Sequence, residues 1–174
     1  MRLPLFSPFR LLCRQLLPGM LALLLTSCSG PAFQRAWKQA QSQPPADPVS
    51  GPWIGTWKSD SNGHQGQLQC VVTPPNKPGA PHQFYYRATW MRFLSGAYRA
   101  EHQVKPSGKS AWKLSGQHRM PAWAGGLYTY EGNLTPESFS ARYECEIDHG
   151  TYTLQRPESA ATPNNTLAKS QAKP

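Results

Sequence analysis

The side chains able to carry chemistry in this 174-residue chain are few and widely spaced. Five histidines, His64, His82, His102, His118 and His149, stand singly, with no HxH or HExxH pair to gather a metal ion. Four of them fall at or near expected turns. His102 alternates with the apolar face of its segment and reads as a hydrogen-bonded core histidine. Glu131 and Asp148 could act as acids in a cleft, but no spacing sets either beside a base. No local Ser-His-Asp or Cys-His pattern marks a nucleophile. The sequence therefore argues against an enzyme, and it calls for no metal and no cofactor. Aromatic residues are the stronger signal: Trp53, Trp57, Tyr86, Trp90, Tyr98, Trp112, Trp123, Tyr128, Tyr130, Tyr143 and Tyr152 are many for one small core. Inward aromatics of a barrel either plug it or line a ligand cavity. Trp57, Trp90, Trp112 and Tyr143 are the expected contact residues. Trp123, in the loop from Arg119 to Leu127, is a candidate for partner contact, or for a lid over one end.

What positions these residues begins with an export signal. Arg2, Arg10 and Arg14 precede any acidic residue, the first of which is Asp47, and an apolar run follows from Leu16 to Leu25. That order is expected of a secretory signal, and the run is too short to span a bilayer, which takes about 20 residues. Leu25-Thr26-Ser27-Cys28 resembles the lipobox of bacterial lipoproteins. The resemblance implies cleavage before Cys28, a diacylglycerol on its thiol and acylation of the new amino terminus, and two or more chains make a stable anchor. The lipid bilayer is then a partner. Ser29, where an aspartate often marks inner-membrane retention, implies the outer membrane if the host is Gram-negative. Export also places Cys70 and Cys145 in an oxidising compartment. Alternation puts both on buried faces, so a disulfide across the core is expected, with two separately buried thiols as the alternative.

Four regions follow: a signal peptide at 1–27, a lipidated amino terminus and flexible tether at 28–52, a folded domain at 53–157, and a disordered tail at 158–174. The tether contains Pro31, Pro44, Pro45, Pro48 and Pro52 among Gln, Ala and Ser, a composition with little apolar surface to bury. A short helix around Phe33–Gln41 is compatible with it. Loss of the signal removes three arginines from the formal net charge of +9. The remaining positive charge is scattered rather than clustered, which argues against nucleic acid.

Within the folded region the apolar period is two, not 3.6. Strands are expected at 53–58, 65–72, 83–93, 97–104, 110–117, 125–134, 139–147 and 151–156. The seventh is the clearest, with Phe139, Ala141, Tyr143, Cys145 and Ile147 on one face. Short links between neighbours favour an up-and-down antiparallel meander, and closing it into a barrel buries one face and removes the edges. An all-β barrel of about eight strands is expected, with a two-sheet sandwich as the alternative.

Trp53-Ile54-Gly55-Thr56-Trp57 resembles the W-x-G-x-W opening of calycin-type barrels, the lipocalins and avidins, in which the first tryptophan region closes the barrel base. Gly55-Thr56-Trp57, Gly63-His64-Gln65-Gly66-Gln67-Leu68, Gly125-Gly126-Leu127-Tyr128-Thr129-Tyr130-Glu131-Gly132 and Asp148-His149-Gly150-Thr151-Tyr152-Thr153-Leu154-Gln155-Arg156-Pro157 further resemble an uncharacterised family of small bacterial envelope lipoproteins. A non-enzymatic lipoprotein that binds a small apolar ligand or an envelope component is the first functional expectation. A structural or protein-binding lipoprotein with a filled barrel is the second. Lysozyme inhibition is a third, disfavoured because basic surfaces would repel basic lysozymes.

Overall fold

Alternation is realised as eight strands: β1 (Gly51–Ser59), β2 (Gln65–Thr73), β3 (His82–Trp90), β4 (Leu94–Gly108), β5 (Ala111–Arg119), β6 (Leu127–Leu134), β7 (Ser138–Glu144) and β8 (His149–Gln155). The computed structural model describes residues 30–90 and 94–157. The signal peptide, Cys28 and the tail at 158–174 lie outside the described residues. Each strand pairs antiparallel with the next, and β8 returns to β1 from Ile54↔Gln155 to Ser59↔Gly150, so the sheet closes as a barrel in sequence order. The expected barrel therefore holds over the sandwich alternative, and an eight-strand barrel is consistent with a calycin-like fold.

The two ends of the barrel differ. At the base, Trp53, Phe84, Phe139 and Leu134 are wholly buried, with Leu154 and Val72 beside them. Their side chains alternate inward on β1, β3, β7, β6, β8 and β2, as a two-residue period requires. Trp53 crosses Phe139 edge-on at 5.9 Å and donates its Nε1–H to the Val49 carbonyl at 3.0 Å. The Arg156 guanidinium lies 3.7 Å from the centre of the Trp53 ring. It donates to the carbonyls of Pro48 (2.6 Å), Ser50 (2.9 Å), Pro52 (3.3 Å) and Pro136 (3.1 Å). The first tryptophan thus closes the base, tied to the last strand.

Residues 30–50, within the segment expected as a tether, are placed on the barrel, and the short helix compatible with Phe33–Gln41 is present and longer. A helix, α1 (Gly30–Ser42), packs across the base against β1 to β4. Phe33, Ala36, Trp37 and Ala40 recur at helical spacing and give it one apolar face. Phe33 is buried and stacks on Trp37 at 5.6 Å. Pro44 and Pro45 end it, and the Asp47 carboxylate then accepts from the Val49 and Ser50 backbone N–H groups and the Ser50 hydroxyl at 2.7–2.8 Å. Burial alone would raise this carboxyl, but those hydrogen bonds and nearby His82 hold it below its ordinary value. Composition concealed this because two buried side chains, Phe33 and Val49, suffice to dock a segment on an existing core.

Of the strand ends that differ from expectation, three change what faces the core or a turn. Gly125 and Gly126 have φ of +100° and +67°, so they form a turn rather than the start of β6. β4 runs on through Pro106 to Gly108 with a register shift there, where a turn was expected. β7 stops at Glu144, and Cys145–Asp148 make the turn, closed by the Cys145 N–H donating to the Asp148 carbonyl at 2.8 Å. Ile147 therefore leaves the core and is 62% exposed.

That last difference also overturns the disulfide. Cys70 and Cys145 are both free. Cys70 sits on β2 opposite Trp53, toward the base, whereas Cys145 lies beyond the mouth end of β7, near Gly125. β1 and β8 separate their two strands around the barrel.

Candidate functional site

At the mouth, inward positions are held by aromatics and very small residues. Trp57, Gly66, Ala88, Trp90, Gly96, Tyr98, His118 and Tyr128 face inward yet stay half-buried. This end is therefore less completely buried than the layer of Trp53, Phe84, Leu134 and Phe139, although Val104 and Trp112 toward the base are half-buried too. The result is a cup whose floor is the wholly or largely buried layer of Tyr86, Tyr130, Tyr152 and His102.

The large rings fit because neighbouring positions are bare. Trp57 crosses Gly66 to donate its Nε1–H to the Thr89 carbonyl at 3.0 Å, and the Trp90 ring lies over Gly96. Below them run two ring stacks. Tyr86, Tyr98 and His118 lie nearly parallel, at 5.0 and 5.5 Å between successive centroids. Tyr128 and Tyr130 stack at 6.2 Å. The Tyr86 and Tyr152 hydroxyls are 3.2 Å apart, and those of Tyr98 and Tyr130 are hydrogen-bond partners.

This interior resists charge. Burial raises the Tyr86 and Tyr152 hydroxyls well above their ordinary range and pushes Tyr130 up to about 12. It also raises the Cys70 thiol. Burial lowers His118, and burial with the neighbouring His118 lowers His102 to about 3. Both imidazoles are neutral at ordinary pH.

The expected contact residues are only partly brought together. Trp57 and Trp90 share the cup. Tyr143 stands at the same end, its hydroxyl donating to Asp148 Oδ2 at 3.1 Å, and burial and that carboxylate raise its pKa. Trp112 belongs to the other end, opposite Leu134 and Pro106, and takes no part in the cup. Trp123 lies in a short 3₁₀ turn (Ala122–Ala124) between β5 and β6 and is 83% exposed, standing at the rim rather than over it as a lid.

Neither candidate acid lines the cup as a free group. Asp148 accepts from Ser59 at 2.6 Å as well as from Tyr143, tying the β7–β8 turn to the end of β1. Glu131 points outward into an open groove of about 970 Å³ across β4 to β8, shared with Lys105, Lys113, Asn133 and Arg142. Among the described residues no group of three or more His, Cys, Asp or Glu side chains is placed to hold a metal ion.

The residue least anticipated is His102. It is wholly buried as expected, but neither ring nitrogen has a hydrogen-bond partner among the described residues. Its inward alternation with Tyr98 and Ala100 was legible. The missing partners were not, because they depend on which strands lie opposite.

No family model matches the chain, and no curated protein matches it. Among solved structures it is similar to designed barrels. One is EF1p2_mFAP2b bound to DFHBI, at 18% identity over 63% of this chain and 94% of that one, with a TM-score of 0.45. Another is the redesigned β-barrel mFAP1 bound to DFHBI, at 18% identity over 63% and 95%, with a TM-score of 0.44. A de novo designed fluorescence-activating β-barrel is 14% identical over 63% and 94%, with a TM-score of 0.42.

Proposed function

We propose that this chain is a non-enzymatic, lipid-anchored bacterial envelope protein whose barrel takes up a small, largely apolar ligand through its open end. One observation carries the reading: inward aromatics at the mouth, Trp57, Trp90, Tyr98 and Tyr128, stay partly exposed above the wholly buried layer of Trp53, Phe84, Leu134 and Phe139. A purely structural barrel has no need of that asymmetry. Support for a non-enzymatic role comes from Asp148 being spent on Ser59 and Tyr143, and from Glu131 lying on the outer face.

The lipobox-like Leu25–Cys28 supports anchoring, and it orients the barrel. Cys28 lies two residues before α1, which crosses the base. Acyl chains on Cys28 would hold the base toward the bilayer and turn the cup away from it. Incorporation of labelled palmitate should disappear in Cys28→Ala; label that persists refutes the anchor. For the ligand, native mass spectrometry of the chain purified from its own host should show a retained small-molecule mass. That mass should be lost in a Trp57→Ala, Trp90→Ala double variant. A wild-type chain that carries nothing and binds no apolar probe refutes the cup.

A second reading rests on a separate feature. Among the described residues Trp123, Ile147, Leu94 and Leu127 are the exposed large apolar ones, and all four stand at the mouth end. Such a rim favours docking of an envelope protein. Cross-linking from position 123 to a second protein, abolished by Trp123→Ala, would support it.

A further inference from the structure

His102 is an expensive choice for its position unless something hydrogen-bonds it. A neutral imidazole offers one donor and one acceptor, and here both are buried without a partner among the described residues. A phenylalanine or leucine would fill the same space at no such cost. Phe84, Tyr130 and Tyr86 surround the ring edge-on at 4.7, 4.9 and 6.0 Å. On the remaining side β5 is bare: a Cβ at Gly116 would collide with Nδ1. The barrel is thus shaped around an imidazole that none of these neighbours satisfies.

The route to it is the ring stack above. Tyr98 is two inward positions closer to the mouth on the same strand, half-buried, with its ring between those of Tyr86 and His118. The successive planes in that stack are within 23° of parallel, which defines a flat slot. A planar ligand that takes the place of the Tyr98 ring keeps both stacking partners and lies against Tyr86, whose ring meets His102 edge-on at 6.0 Å.

Resting on the cup reading above, we propose that His102 is its polar recognition point, hydrogen-bonding an uncharged oxygen or nitrogen on a flat, otherwise apolar ligand. Charged head groups are excluded. Among the described residues the inward positions of the upper barrel carry no lysine or arginine, and burial there favours the neutral form of every titratable ring. The ligand class is therefore a neutral phenol, alcohol, amide or carbonyl compound with an aromatic body, and not a fatty acid.

Calorimetric titration of the full-length chain with naphthol, naphthalene and naphthoate tests this. Naphthol should bind about tenfold more tightly than naphthalene, the value of one good hydrogen bond, and naphthoate more weakly than either. In His102→Phe the preference for naphthol over naphthalene should fall to about one. Should that variant not fold, the nitrogen resonances of His102 in the ¹⁵N-labelled wild-type chain decide: they should shift with naphthol and not with naphthalene. Equal affinity for the two neutral probes, or a preference that survives His102→Phe, overturns the role of His102 while leaving the cup standing. Failure of both neutral probes to bind overturns the cup and this inference together.

Discussion

Replacing Arg156 by methionine removes the clamp at the base while keeping a side chain of similar length. The guanidinium donates to four carbonyls, of Pro48, Ser50, Pro52 and Pro136, and covers the Trp53 ring at 3.7 Å. The bond to Pro48 is exposed and counts for little; the other three are part-buried. At about 1 kcal/mol for each part-buried bond and about 0.5–1 kcal/mol for the ring contact, the loss is about 3–4 kcal/mol. With a urea m-value of about 1.5 kcal/mol per molar, the midpoint of unfolding should fall by about 2 M at unchanged m. Arg156→Lys keeps the charge but not the planar fork, so it should recover less than half of that loss. Paired urea titrations followed by tryptophan fluorescence provide the assay. A midpoint shift below about 0.5 M for Arg156→Met would refute the reasoning. It would mean that α1 and the 44–52 segment are held by Phe33, Val49 and the Asp47 turn alone.

Acid should destabilise the barrel through His102. Its folded pKa is depressed to about 3 from an ordinary 6.5, so the fold favours the neutral ring. The stability it contributes is present above the unfolded pKa and is lost as pH falls from 6.5 toward 3. His102→Phe should flatten that limb of a stability-versus-pH curve by up to about 1.4 kcal/mol per pH unit, and an unchanged limb would be contrary to it. Alkylation of the non-reduced chain should label both Cys70 and Cys145 after unfolding but only the half-buried Cys145 in the native state; a Cys70–Cys145 linked peptide in mass spectra would contradict the free thiols. Trp123→Ala removes a ring that is 83% exposed and should change unfolding stability by less than about 0.5 kcal/mol, a larger loss showing that the ring packs on the barrel.

The eight strands and their inward faces were legible in the sequence because the two-residue period is a local property of an extended chain. Phe84, Tyr86, Ala88 and Trp90 had to share a face wherever β3 was placed. The closed barrel followed from short links and one apolar face, and Trp53 at its base agreed with the resemblance carried by Trp53–Trp57. What depended on partners far along the chain was not legible. Alternation alone would carry β7 through Cys145 to Ile147, and only the Asp148 carbonyl, closing a turn on the Cys145 N–H, ends it and separates the two cysteines. Trp112 alternates inward as well as Trp57 does, yet register against Leu134 sends it to the opposite end. The helix around Phe33–Gln41 was compatible with the sequence, but its docking was not legible, because it depends on a finished base to receive Phe33. His102 shows the division most sharply. Its inward direction came from its own strand. Its lack of a hydrogen-bond partner among the described residues came from Gly116, Phe84 and Tyr130, which reach it only when the barrel closes.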